Sequence, residues 1–165
     1  MGVAMPRADR MIPKHSRRPF LLLAVFLSVT ACARGPADRP EATHVPGNTP
    51  QMQAMIERYA SFLEIPPSLL DHVVRVESGY NPAARNGSYY GLMQINPQTA
   101  QTMGYQGPAD GLLDPETNLR FAGAYLRGAY IVANHDPERA YDWYKRGYYY
   151  EARSRGLLEE TGLRR

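Results

Sequence analysis

Glu77 sits in the stretch DHVVRVESG, residues 71 to 79, and it shares a spacing with apolar neighbours: Leu70, Val73, Val74 and Glu77 fall at i, i+3, i+4 and i+7. On a helix these positions lie on one face, with Asp71, His72 and Arg75 on the other. Taking an ionised carboxylate out of water is costly unless it is paired, and that cost favours the protonated form. A carboxyl that keeps its proton can donate it to a leaving group, so Glu77 is a candidate general acid. A glutamate in the last turn of a helix also often reaches solvent past a fraying end, and the helix alone does not separate the two readings.

The segment that follows narrows the choice. From Ser78 to Ala109 there is no Asp or Glu, while Ser, Asn, Gln, Tyr and Gly abound. Such a region offers hydrogen bonds without a second charge, which suits neutral, hydroxyl-rich ligands such as sugars, held by amides and stacked on aromatic faces. An ordinary surface loop is also polar, but it more usually carries some charge.

The elements that must carry these residues read as helices separated by breakers, with no alternating strand pattern. Met52, Met55, Ile56, Tyr59 and Phe62 or Leu63 give a first helix, stopped by Pro66 and Pro67, and Ser68 to Ser78 gives a second. Asn96-Pro97, Asp114-Pro115 and Asp136-Pro137 each place a capping side chain before a proline at the first helical position. The longest helix is expected from about Pro115 to Asn134, with a core stripe of Leu119, Ala122, Leu126, Ala129 and Ala133. Pro137 to about Leu158 is expected to be helical too. The reading is a mostly α domain over residues 51–165.

At 165 residues the chain allows one domain with a proper core. Residues 1–31 read as an export signal: Arg7, Arg10, Lys14, Arg17 and Arg18 against Asp9, then the apolar run FLLLAVFLSV, too short to span a bilayer. SRRPFLL, residues 16 to 22, also looks like a twin-arginine export signal. The run ends in VTAC, which resembles a lipobox, and places the sole cysteine, Cys32, where a lipid would be attached. Ala33 is not an acidic retention residue, which points to a lipoprotein of the outer membrane facing the periplasm. Residues 32–50, rich in proline and glycine, read as a tether. The leader's net +4 accounts for the whole-chain +3 and leaves −1 for the rest, so composition gives no reason to expect a nucleic-acid partner.

Three blocks carry a family resemblance: Glu77-Ser78, then GYNPAARNGSYYGLMQINPQTAQTMG from Gly79 to Gly104, then LLDPETNLRFAGAYL from Leu112 to Leu126. Together they resemble the lytic transglycosylases of the soluble-transglycosylase, goose-lysozyme-like family, over about residues 51 to 150. The resemblance implies a compact lysozyme-like helical domain acting on peptidoglycan glycan strands without a metal or cofactor. It makes Glu77 the sole catalytic acid and Ser78 a neighbour that positions the substrate's acetamido group. Gly91, Leu92, Met93 and Gln94 match the motif that lines the sugar cleft, and Asn118 matches an asparagine with a structural role in its helix. The family's last motif is a tyrosine in Tyr-Asn-Ala-Gly, whose hydroxyl approaches the catalytic carboxylate. Here that run is YKRG, residues 144 to 147, so Tyr144 keeps register while Lys145 and Arg146 replace the asparagine and alanine. The wording GLMQIN also resembles members that open the wall for envelope-spanning machines.

In the mechanism so implied, Glu77 protonates the glycosidic oxygen between N-acetylmuramic acid and N-acetylglucosamine, and the muramic 6-hydroxyl closes a 1,6-anhydro ring. Two other readings stay open. A hydrolytic muramidase would need a base for water, with Asp110, Asp114 or Glu116 as candidates. A non-catalytic glycan-binding lipoprotein would use the same cleft only to dock. Tyr141, Trp143, Tyr148, Tyr149 and Tyr150 are either sugar platforms or helix packing.

Overall fold

The computed structural model describes residues 47–163. The export signal at 1–31, Cys32 and the tether as far as residue 46 lie outside the described residues. Helix α1 runs Pro50–Leu63 and α2 Pro67–Ser78; a hairpin of β1, Arg85–Asn86, and β2, Tyr89–Tyr90, follows. Then come α3, Pro97–Thr102, a 3-10 turn at Ala109–Leu113, α4, Pro115–Val132, α5, Pro137–Arg146, and α6, Tyr149–Ser154. Among the described residues no helix is long and apolar enough to cross a membrane.

All three expected cap–proline starts are present. Asn96 accepts from Gln98 N at 2.9 Å, Asp114 from Thr117 N at 2.8 Å and Asp136 from Arg139 N at 3.1 Å. A fourth was overlooked in the sequence: Thr49 Oγ1 accepts from Met52 N at 3.1 Å, with Pro50 first in the helix. This draws the last tether residues into the fold. Gly47, at φ +91°, lies so close to the Tyr80 carbonyl that a Cβ there would stand 2.9 Å from its oxygen.

Helix α4 is the axis of the core. Leu119, Ala122, Leu126, Ala129 and Ala133 are all fully buried, as their stripe requires. Leu70, Val73 and Val74 of α2 are fully buried as well, each stabilising the fold by about 2 kcal/mol through apolar burial. That stripe delivers Glu77 to the edge of the core rather than into it, and the glutamate is half-buried.

Two expectations fail. The acid-free segment contains a small antiparallel hairpin, with Arg85 opposite Tyr90 and Asn86 opposite Tyr89. Two residues per strand leave no alternation to read. The helix expected from Pro137 to Leu158 is broken at Gly147, whose φ +82° and ψ 149° end α5. The break turns Tyr148 inward, where its hydroxyl donates to the Tyr125 carbonyl at 2.8 Å. Gly156, at φ +70°, follows soon after α6 ends.

A candidate active site at the end of the second helix

Glu77 lines a cleft of about 310 Å³ together with Asn86, Tyr89, Gln94, Tyr144 and Lys145. Among the described residues no other carboxylate lines it. A larger hollow, about 420 Å³, contains Glu116, which pairs with Arg58 at 2.7 Å and does not line the cleft of Glu77. The other candidate bases are also engaged: Asp110 pairs with Arg85 at 3.0 Å and Asp114 caps α4.

The wall opposite α2 is the loop that carries Gly91 to Gln94. Its ends are closed by paired backbone hydrogen bonds between Tyr90 and Ile95, both 3.1 Å. Its interior is held by Asn118, which is fully buried on α4. The Asn118 Oδ1 accepts from Met93 N at 2.9 Å, and its Nδ2 donates to the carbonyls of Tyr90 and Leu112, both at 2.8 Å. One side chain thus ties the loop and the 3-10 turn to the central helix. Gly91, at φ +76°, passes so near that a Cβ would overlap Asn118 Nδ2 and the Leu112 carbonyl.

This arrangement divides the motif residues. Leu92 and Met93 are fully buried and Gly91 is buried too, so these three shape the loop from behind. Gln94 enters the cleft, in the left-handed region at φ 47°. Its Nε2 donates to Gly91 O at 2.9 Å and Ala84 O at 3.2 Å, which uses both amide protons. What Gln94 can offer a ligand is therefore its acceptor oxygen. Ser78 is not among the cleft residues; its hydroxyl donates back to Val74 O at 3.1 Å.

Two tyrosines of α5 stand near Glu77, with different hydrogen-bond partners. Tyr144 does line the cleft, but its hydroxyl donates to the Met93 carbonyl at 2.8 Å. The hydroxyl that reaches Glu77 belongs to Tyr141, one turn earlier on α5, and donates to Oε1 at 2.9 Å. The ring of Tyr141 stands edge-on to His72, with centroids 5.1 Å apart. Partial burial, then the hydrogen bond to Glu77 and its charge, push the Tyr141 hydroxyl up to about 12. Burial, then the charge of Glu77, hold Tyr144 well above the usual tyrosine range. Both remain neutral donors at any ordinary pH.

The remaining aromatics sort by environment. Tyr148 is packing, and Trp143 lies beneath the Arg146 guanidinium at 3.6 Å. Tyr149 and Tyr150 are exposed without lining the cleft. The exposed ring at the cleft is Tyr89, which sequence reasoning did not single out as a platform. Its position in the acid-free segment beside Gly87 was the available signal.

A site with one half-buried carboxylate, a neutral hydroxyl upon it, an amide acceptor opposite and an exposed aromatic ring can transfer a proton to and from a bound polyol. The family model described as Transglycosylase SLT domain matches residues 54–155. The chain is 39% identical over 84 residues to the soluble lytic murein transglycosylase of Escherichia coli (strain K12), covering 46% of this chain and 13% of that protein. It is 30% identical over 119 residues to the endo-type membrane-bound lytic murein transglycosylase A of Klebsiella pneumoniae subsp. pneumoniae, covering 66% of this chain and 58% of that one. The crystal structure of the 70 kDa soluble lytic transglycosylase of Escherichia coli superposes with a TM-score of 0.54 at 30% identity, over 66% of this chain and 18% of that chain. The chain therefore spans only part of these relatives' lengths, while the family match covers more than half of the chain itself. With its mostly α, lysozyme-like fold, the chain belongs to the transglycosylase SLT domain family.

Proposed function

We propose that this protein is a peptidoglycan lytic transglycosylase of the cell envelope, which cleaves the β-1,4 bond between N-acetylmuramic acid and N-acetylglucosamine and leaves 1,6-anhydro-muramic ends. The observation that carries this reading is that, among the described residues, Glu77 is the single carboxylate lining its cleft. Glu77 gives its proton to the glycosidic oxygen as the bond to the muramic C1 breaks, and the muramic acetamido oxygen stabilises the cation. The ionised Glu77, steadied by the Tyr141 hydroxyl, then takes the proton of the muramic 6-hydroxyl as its oxygen bonds to C1. The internal hydroxyl wins over solvent because well-oriented internal nucleophiles reach effective molarities of about 10⁵ M or more.

The test is product chemistry. The full chain, incubated with peptidoglycan sacculi, should release fragments lighter by one water than hydrolysis products, and Glu77→Gln should lower that release by about a thousandfold or more. Free reducing ends would instead establish a hydrolytic muramidase. Retention on sacculi with no fragments at all would establish a binding protein.

A further inference from the structure

The cleft continues beyond Glu77 into a second lobe of about 330 Å³. Tyr89, Gln94, Tyr144 and Lys145 line both hollows, so the two adjoin. The far wall adds amides and a hydroxyl from Asn96, Gln98 and Thr99 near the start of α3, and Arg146 from the end of α5. Among the described residues no Asp or Glu lines this lobe.

Lys145 and Arg146 are not equivalent there. The ammonium of Lys145 is 3.1 Å from Asp142 Oδ1 on its own helix and 4.5 Å from the Tyr141 ring centre. An exposed pair at this spacing is weak and readily exchanged for another anion. Arg146 has no ion pair among the described residues, and its guanidinium lies over Trp143 at 3.6 Å. Stacking engages the face of the guanidinium and leaves its in-plane N–H edge available, which is the edge that grips a carboxylate with two hydrogen bonds. The lobe therefore combines neutral hydrogen-bonding groups for sugar with a preorganised fork for an anion.

We propose that Lys145 and Arg146 select peptidoglycan whose muramic acid bears a carboxylate on its lactyl arm, beside the bond held over Glu77. This deepens the proposed function and rests on it. A strand of N-acetylated sugars is otherwise neutral, so that arm is where its anionic groups reside: the carboxylates of the attached peptide, or the free lactyl carboxylate where the peptide has been removed. The peptide carboxylates are the intended ligand, because on intact strands the lactyl carboxyl is consumed in an amide bond.

Three substrates separate these cases: native sacculi, sacculi whose carboxyls have been converted to amides, and glycan stripped of peptides by an amidase. The full-length protein should cleave native material with a kcat/KM about tenfold above that on amidated material, the loss expected for one charge-assisted bidentate contact. In the double variant Lys145→Gln, Arg146→Gln that ratio should fall to about one. A preference that survives in the double variant overturns the proposal, as does a uniform loss on all three substrates, which marks the pair as structural. Stripped glycan cleaved as well as native material reassigns the ligand to the lactyl carboxylate and overturns the peptide assignment. Should the wild-type protein cleave nothing, the proposed activity fails, and co-sedimentation with native against amidated sacculi still reads the anion preference. Equal retention on both then overturns it.

Discussion

Replacing Asn118 by alanine removes the one side chain that holds the Gly91–Gln94 loop to α4. Three hydrogen bonds are lost, but they do not count equally. The Tyr90 carbonyl keeps the Ile95 N–H at 3.1 Å, whereas Met93 N–H and Leu112 O have no other partner among the described hydrogen bonds. A buried polar group left unpaired costs about 1–3 kcal/mol, so two give about 2–6 kcal/mol. Water entering the vacated space recovers part of this, and the expected loss is about 3 kcal/mol. For a domain of this size that lowers Tm by roughly 10 °C. Urea denaturation followed by Trp143 fluorescence measures it directly. Asn118→Asp provides the discriminating control: it conserves volume and the acceptor for Met93 N–H, but loses both donors and sets a charge against the carbonyls of Tyr90 and Leu112. It should be worse than alanine. A loss below about 1 kcal/mol for alanine, or an aspartate variant milder than alanine, would refute this account of the loop.

Tyr141→Phe removes the donor on Glu77 and leaves the ring against His72, so kcat on sacculi should fall by about tenfold with less change in KM, while unchanged kcat would leave Tyr141 without a part in the reaction. Alkaline stability follows from the buried tyrosines: Tyr144 and Tyr148 are held well above the usual value, chiefly by burial, and Tyr141 at about 12. Below about pH 10 both folded and unfolded chains keep these hydroxyls protonated; above it the unfolded chain loses protons that the folded chain retains, so stability is lost as pH rises. The urea midpoint should decline from about pH 10 upward, and a flat profile to pH 11 would contradict the burial of these groups.

Much of this was legible in the sequence, for local reasons. The cap–proline pairs fix helix starts because the cap satisfies a free N–H and proline needs none, both short-range facts. The i, i+3, i+4, i+7 spacing placed Glu77 on the core side of α2, and the structural part expected of Asn118 is what its three backbone contacts describe. The hairpin was not legible, because its order comes from the turn at Gly87 and from the Tyr90–Ile95 bridge rather than from strand pattern. The break at Gly147 was overlooked because the aromatic run around it reads as continuous packing. In the structure the glycine's positive φ outweighs that run.

The hydrogen bonds of Tyr141 and Tyr144 show where motif reading stops. The two are one turn apart on α5 and share a face, so register alone puts both near the site. Which hydroxyl meets which acceptor is decided by a carbonyl far away in sequence. Gln94 turns into the left-handed region just after Met93, and Met93 is then held at its N–H by Asn118 and at its C=O by Tyr144. With its hydroxyl committed to that carbonyl, Tyr144 acts on the wall of the cleft, and the neighbour on the same face is left to meet Glu77. Four of the motif positions, Gly91 to Gln94, thus reach the chemistry mainly through backbone placed by α4 and α5. Only the last projects its side chain into the cleft. The wall of the cleft thus rests on a double clamp on one residue, Met93, whose N–H and C=O are both held, and this sets Gln94 in the cleft that Glu77 lines.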